Sequence, residues 1–389
     1  MVLVCEVFCE ILKTICTFVK ITTFMSIIQS FEIKNFRCFK HTKVNGLGAI
    51  NLFGGKNNVG KTALLEAILL MGEPYNDSII RLLAQRRLSL DYLRSLPDTV
   101  WENFFYKQDT GQSIQLFFQN TQQQNYKIQL SISENIQEFV SMLPTNGNNT
   151  SNDLTNYLLA DNKKSVITTE IFESTNKLKK HSLLASEIGM PSTKETIPYK
   201  LINTKFIPAV AKLTTEELAI QFGQAKLHKK VDKLLKAFQM IDNTIISVDS
   251  IQIGKISLLY LEKNNEKPLP INLFGDAMNK MADYVLSIIN NENKILLLDE
   301  VENGIHHENQ EKFWEMLFNL CNEFKVQVFA TSHSQEMITA FNNVVKKHSF
   351  DGYYFRLSYH PIEKENIVAQ KISTNVLEDK IENHQPYRS

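Results

Sequence analysis

The sequence predicts an α/β chain: a mixed central sheet flanked by helices, with an N-terminal antiparallel β subdomain and a helical insertion. Three observations predict it. A strand of buried type, Ile50 to Phe53, runs into the glycine-rich segment GKNNVGKT (Gly55 to Thr62) and then into the amphipathic helix pattern TALLEAILLM (Thr62 to Met71). Far along the chain, KILLLDE (Lys294 to Glu300) is an unbroken aliphatic run ending in two acids, the form of a central parallel strand whose carboxyl end opens on a ligand crevice. Between them, Ser113–Asn120 and Tyr126–Ser133 alternate apolar and polar residues, which predicts a hairpin joining the N-terminal sheet.

The segment Gly55 to Thr62 fills every fixed position of the phosphate-loop pattern G-x-x-x-x-G-K-[ST]. Gly55 and Gly60 permit backbone angles that a side chain would forbid. The N–H groups of Asn57, Asn58, Val59, Gly60 and on to Ala63 can then turn inward around an anion at the positive end of a helix. Lys61 would neutralise the outer phosphates, and the Thr62 hydroxyl would supply one corner of an octahedral Mg²⁺ shell. A glycine turn that merely links strand to helix is the plain alternative. These residues call for a nucleoside triphosphate and do not name its base.

In the middle of the chain, Thr145 to Asp153 (TNGNNTSND) reads as a turn-rich tip, and from Ser165 to Tyr199 strand and lysine-rich helix signals alternate. After Pro208, Thr214 with Glu217 makes a capping box that opens a helix. Leu227, Val231, Leu234, Leu235 and Phe238 then give the next helix one apolar face. No heptad array of coiled-coil length occurs.

The acids that end the second strand have distinct expected roles. Asp299 would hold Mg²⁺, and Glu300, one residue beyond, would act as general base towards an attacking water. The next strand, Val326 to Ala330, leads at once to His333, placed to donate a hydrogen bond to a terminal phosphate. Tyr353 to Arg356 reads as a further strand, and a short helix is expected near Asn375 to Asn383.

Composition sets bounds. The 389 residues, 43% of them hydrophobic, suffice for a full core, and Lys plus Arg equals Asp plus Glu at 42 each. A zero net charge excludes a global attraction to nucleic acid, so DNA contact would need a local patch such as Lys177, Lys179, Lys180 or Lys226, Lys229, Lys230, Lys233. Runs of this kind are usually solvated faces. The five cysteines form neither a disulfide framework nor a zinc pattern, which points to a reducing, cytoplasmic home. Residues 1–25 are apolar but interrupted by Glu6, Glu10, Lys13 and Lys20. They read as an extension ahead of a start at Met25, with no stable membrane association.

The order GKNNVGKT, LFGDAMNKM, LLLDEVENGIHHENQ, VFATSHS resembles the ABC-type ATPases of the SMC, RecF and OLD group, and most resembles bacterial AAA-type ATP-binding proteins related to OLD. The opening IQSFEIKNFRCFKHTKV fits the strand, N-F-[RK]-x-F turn and second strand of that group. The resemblance implies a P-loop NTPase of ABC/SMC type that binds ATP and Mg²⁺, with Lys61, Glu300 and His333 catalytic and Thr62 and Asp299 on the metal. It places Asn272, Gly275 and Asp276 in a signature segment at the start of a helix running to about Ile289, directed across a homodimer or higher homo-oligomer. Where relatives read G-D-G this chain has Ala277, which would be strained if that position required a positive φ. His306 would touch the partner subunit, and Arg37 would lie near the adenine and phosphates; no glutamine is assigned as the switch that contacts Mg²⁺. The implied division is 26–140 for the N-terminal half, 141–205 a variable insertion, 206–250 a helical arm and 251–389 the C-terminal half. Too few residues follow the histidine for the acidic nuclease domain of OLD proteins. An ATP-driven switch acting on a separately encoded effector (nuclease or toxin) in phage defence is therefore expected; a DNA-binding RecF-like ATPase is the alternative.

Overall fold

The computed structural model describes residues 27–85, 94–133, 136–141, 163–187, 189–193, 200–210, 214–290 and 294–383. The 1–25 extension and the Thr145–Asp153 tip lie outside them.

The first strands alternate buried and accessible residues, the pattern of a sheet with one covered face. β1 (Ile28–Phe36) and β2 (Phe39–Asn45) pair antiparallel in the register Ile33↔Thr42 and Phe36↔Phe39, turning at Arg37, whose φ is 54°. After β3 (Ile50–Gly55), the expected hairpin appears as β4 (Ile114–Asn120) and β5 (Asn125–Ser133), with β4 against β1. β6 (Lys164–Glu173) and β7 (Asn176–Ser186) extend this sheet to the order β2-β1-β4-β5-β6-β7. The lysine-rich helix signal in this stretch is therefore corrected. Lys177, Lys179 and Lys180 lie on a strand, because pairing Ile167 with Leu183 buries Leu183, Leu184 and Ala185 completely, and that burial outweighs the helix preference of lysine.

The second sheet adds β8 (Thr204–Ile207), β12 (Ile295–Leu298), β13 (Gln327–Ser332), β14 (Gly352–Tyr359) and β15 (Ile367–Ile372), in the order β15-β14-β3-β13-β12-β8. All its pairs are parallel except β14 with β15, so the sheet is mixed as expected. β9 (Ile245–Ile253), β10 (Ile256–Lys263) and β11 (Leu269–Pro270) form a small separate sheet.

The helix after the glycine-rich loop, α1 (Lys61–Gly72), departs from its reading as amphipathic, since apart from Thr62 every residue is buried. It runs between the two sheets, and its apolar side chains pack with Phe31 and Ile33 of β1 and with Phe329 of β13 in one core. Such a helix needs no polar face. α2 (Asn76–Gln85) and α3 (Ile136–Ser141) follow on the antiparallel side.

On the other face of the mixed sheet a second core collects α4 (Thr215–Leu227), α5 (Val231–Ile241), α6 (Asp276–Ile289), α7 (Gln310–Phe324), α8 (Gln335–His348) and α9 (Thr374–Glu382). The Thr214–Glu217 capping box opens α4, with both reciprocal bonds formed. Leu234 and Phe238 bury the expected face of α5, whereas Leu227 is 83% exposed at the end of α4 and does not belong to it. α6 spans the range expected for the signature helix. Its N-cap is Gly275, at φ 89° and ψ 178°, and Ala277 sits in the helix without a positive φ, so the feared strain does not arise.

Candidate nucleotide site

Chain order in the mixed sheet places the ends of β3, β13 and β12 side by side, with β13 between the other two. Three segments distant in sequence therefore deliver their polar ends to one rim. Gly55 (φ 156°) and Gly60 (φ 96°) shape the loop after β3. A Cβ at Gly60 would come within 2.4 Å of Cys38 Sγ, so glycine is required there on grounds of both space and dihedral.

Lys61 is 9% exposed and curls back, donating from Nζ to the carbonyls of Gly55 and Lys56 at 3.0 Å each. Burial draws its ammonium below the ordinary range, against the pull of Glu302, Asp299 and Glu300. Thr62 donates from Oγ1 to Asp299 Oδ2 at 2.9 Å, and Thr331 donates to Asp299 Oδ1 at 2.6 Å. Asp299 is 5% exposed, and burial raises its carboxyl above the ordinary range despite both hydroxyls. A hydroxyl and a buried carboxylate converging in this way are the oxygen donors a hard divalent cation prefers, so Mg²⁺ suits the pair.

The acids follow the strand rather than ending it. β12 stops at Leu298, and Glu300 takes φ 48°, its N–H donating to Thr331 Oγ1 at 2.9 Å and its Oε2 accepting from Asn303 Nδ2 at 2.9 Å. The strand Val326–Ala330 is shifted to Gln327–Ser332, which brings Thr331 into the site.

Glu302 was not singled out by sequence. Its Oε1 accepts from the N–H of His333 at 2.8 Å and of Ser334 at 3.2 Å and pairs with His333 Nδ1 at 2.8 Å. It therefore aims the histidine loop. The available signal was a third acid two positions after the expected pair.

Asn57, Asn58, Gly60, Lys61, Thr62, Ala63, Asp299, Glu300 and His333 line one open cleft of about 1000 Å³ with Arg37 and Cys38; Val59 is buried beneath the loop. The cleft's other wall is Asn103, Phe105, Lys107 and Gln108. Arg37 binds Glu66 of α1 through Nε at 3.0 Å, donates from Nη1 to the Asn103 carbonyl at 2.9 Å and lies over the Phe104 ring, which fixes that wall.

Asn272, Gly275, Asp276 and His306 do not line this cleft; they are exposed. His306 stacks on His307 with ring centroids 4.2 Å apart. The lysine runs are engaged with acids: Lys177 with Glu170, Lys180 with Glu138, Lys226 with Asp249 and Lys233 with Glu323. Among the described residues no helix is long and apolar enough to cross a membrane, and Cys321 is a buried thiol.

A phosphate loop whose threonine bonds to an acid two strands away defines a P-loop nucleoside triphosphatase with an α/β fold. The chain belongs to the family described as "AAA domain, putative AbiEii toxin, Type IV TA system", whose model matches residues 50–339, and it is an ATPase. It is 27% identical over 353 residues to an ATP/GTP phosphatase of Helicobacter pylori, covering 83% of this chain and 90% of that protein. It is 33% identical over 67 residues to the DNA replication and repair protein RecF of Nitrosococcus oceani, 17% of this chain and 18% of that one. Among solved structures it is similar to the SMC head domain of Thermotoga maritima, with TM-score 0.38, 9% identity and coverage of 89% and 99%. It is also similar to an Smc head bound to the C-terminal domain of ScpA from Pyrococcus furiosus, with TM-score 0.46, 8% identity and coverage of 92% and 100%.

Proposed function

We propose that this ATPase is an OLD-related switch that dimerises on ATP and controls a separately encoded effector, a nuclease or toxin, in phage defence. The observation that carries the dimer is that Gly275 and Asp276 stand exposed and outside the lining of the phosphate cleft. The N-terminus of α6, with its partial positive charge, is exposed, and no residue from Asn272 to Asp276 is among those lining the cleft. A second protomer would bring that helix end to the terminal phosphate. The family description, which names a toxin of a toxin–antitoxin system, supports pairing with a separate protein.

In this reading the loop N–H groups and Lys61 bind the phosphates, and Thr62 and Asp299 would hold Mg²⁺, whose charge would offset that of the phosphates. Glu300 takes a proton from the attacking water, and His333, aimed by Glu302, donates to the terminal phosphate. Hydrolysis then releases the protomers. ATP suits the site; the phosphatase relative's name makes GTP the competing substrate to measure.

The test is light scattering after gel filtration. Glu300→Gln with ATP and Mg²⁺ should run as a stable dimer that dissociates only on nucleotide removal. Turnover by this variant equal to the parent's would refute the role of Glu300. The short match to RecF favours a second reading, a DNA-binding ATPase. DNA-stimulated turnover with steep salt dependence would select it, although pairing of the lysine runs with acids weighs against it.

A further inference from the structure

Asp299, Glu300 and Glu302 crowd four consecutive positions after β12, and Lys61 answers them from the phosphate-loop side. A second lysine answers from α6. Lys280 is 8% exposed and donates from Nζ to the carbonyl of Ala209, just past the end of β8, at 3.1 Å. A buried ammonium requires compensating charge. Burial draws it below its ordinary range, and Glu300, Glu302, Asp276 and Asp299 oppose that pull. The same turn also touches the helix directly: a Cβ on Gly304 would lie 3.2 Å from the Ala277 nitrogen, so the loop after Glu302 sits flush on the first turn of α6.

We infer that Lys280 is a positioning residue for hydrolysis, tying to the end of β8 the helix whose first turn packs at Ala277 on the acidic turn that carries Glu300. This rests on the ATPase reading of the site. Lys280 lies outside the lining of the phosphate cleft, so it acts through the turn and not on the nucleotide. Displacement of α6 is thereby transmitted to Glu300, and the helix end that faces outward governs the base inside. Its loss should disturb the chemical step and spare binding.

Steady-state turnover and binding of a fluorescent ATP analogue, measured on the full chain, test this with Lys280→Met, Lys280→Arg and Glu300→Gln. Lys280→Met should lower kcat by about tenfold or more with KM changed less than about threefold, and Lys280→Arg should recover most of the rate. Should the methionine variant melt below the assay temperature, Lys280→Gln, whose amide stops one atom short of the Ala209 carbonyl, takes its place with the same expectation. A neutral variant within about twofold of the parent rate, a change confined to KM, or an arginine variant no better than methionine overturns the inference. An inactive parent would sink the ATPase assignment itself. An active parent, a dead Glu300→Gln and a fully active Lys280→Met would sink only the role of Lys280.

Discussion

Thr62 and Asp299, 237 positions apart, share a 2.9 Å hydrogen bond. The bond joins the first turn of α1 to the end of β12 across the intervening β13, whose Thr331 holds the other oxygen of the same carboxylate. One aspartate is thereby fixed by two strands and a helix. Asp299→Asn keeps the size and the acceptor while removing charge. It should abolish Mg²⁺-dependent turnover, with a fall of two to three orders of magnitude, about 3–4 kcal/mol in barrier. Because burial raises the native pKa of Asp299, its ionised form opposes folding above that range. The asparagine variant should therefore melt no lower than the parent near neutral pH, which a thermal melt checks.

Lys61 holds the rim of its own loop through two carbonyls, contacts that phosphate oxygens would replace. Lys61→Ala should weaken ATP binding about a hundredfold, close to 2.7 kcal/mol, by calorimetry. It should leave the melting temperature nearly unchanged, because burial already disfavours the charge.

Glu302→Gln retains an acceptor for the His333 and Ser334 N–H groups but loses the charge opposite Nδ1 of His333. We expect kcat to fall by about ten- to a hundredfold, with a stability loss of about 1–2 kcal/mol in urea denaturation. An unchanged kcat would remove Glu302 from the mechanism.

Arg37 and Glu66 are a nearly buried pair, 10% and 2% exposed at their side chains. Arg37→Ala removes the cation beside the buried Glu66 carboxylate and should cost about 3–5 kcal/mol, part of it restored by adding Glu66→Gln. If nucleotide affinity in the double variant equals the parent's, Arg37 supports the cleft wall and does not read the ligand.

Two buried groups give opposite pH signatures. Burial pushes Asp283 of α6 up to about 6 from 3.8, so the native state holds a proton that the unfolded chain releases. Stability then falls as pH rises from about 4 to 6 and stays reduced above that. Asp283→Asn should stabilise the protein above pH 6 by up to about 3 kcal/mol and have little effect near pH 4. Burial pulls His181 of β7 down to about 4 from 6.5, so its contribution is lost as pH falls through that window. Melts of each variant against pH separate the two.

Legibility in the sequence followed the density of local rules. The loop from Gly55 to Thr62 and the capping box at Thr214 were readable because their chemistry is complete within a few residues. α6 was expected from the family resemblance, with an end near Ile289, and the helix runs Asp276–Ile289. Lys177 to Lys180 misled, since the partner strand that makes Leu183 a core residue starts at Lys164 and no local pattern reports the pairing. Glu302 and Lys280 were missed for the same reason: an acid in a polar turn and a lysine on a helix gain meaning only from what surrounds them. The burial of α1 on all sides was equally invisible, and Thr62 to Met71 looked two-sided until both sheets were in place.

β3 lies near the start of the chain, yet both strands that flank it, β13 and β14, begin at Gln327 and Gly352. During synthesis the ribosome must therefore pass Gln327 before the strand that leads into the nucleotide loop can find either neighbour. Until then the nascent N-terminal part has only the antiparallel hairpins to shelter its aliphatic run, and ATP has no rigid cradle to enter. Ligand capture thus becomes a late checkpoint, and nonsense products that stop before Gln327 should emerge as insoluble, nucleotide-blind chains.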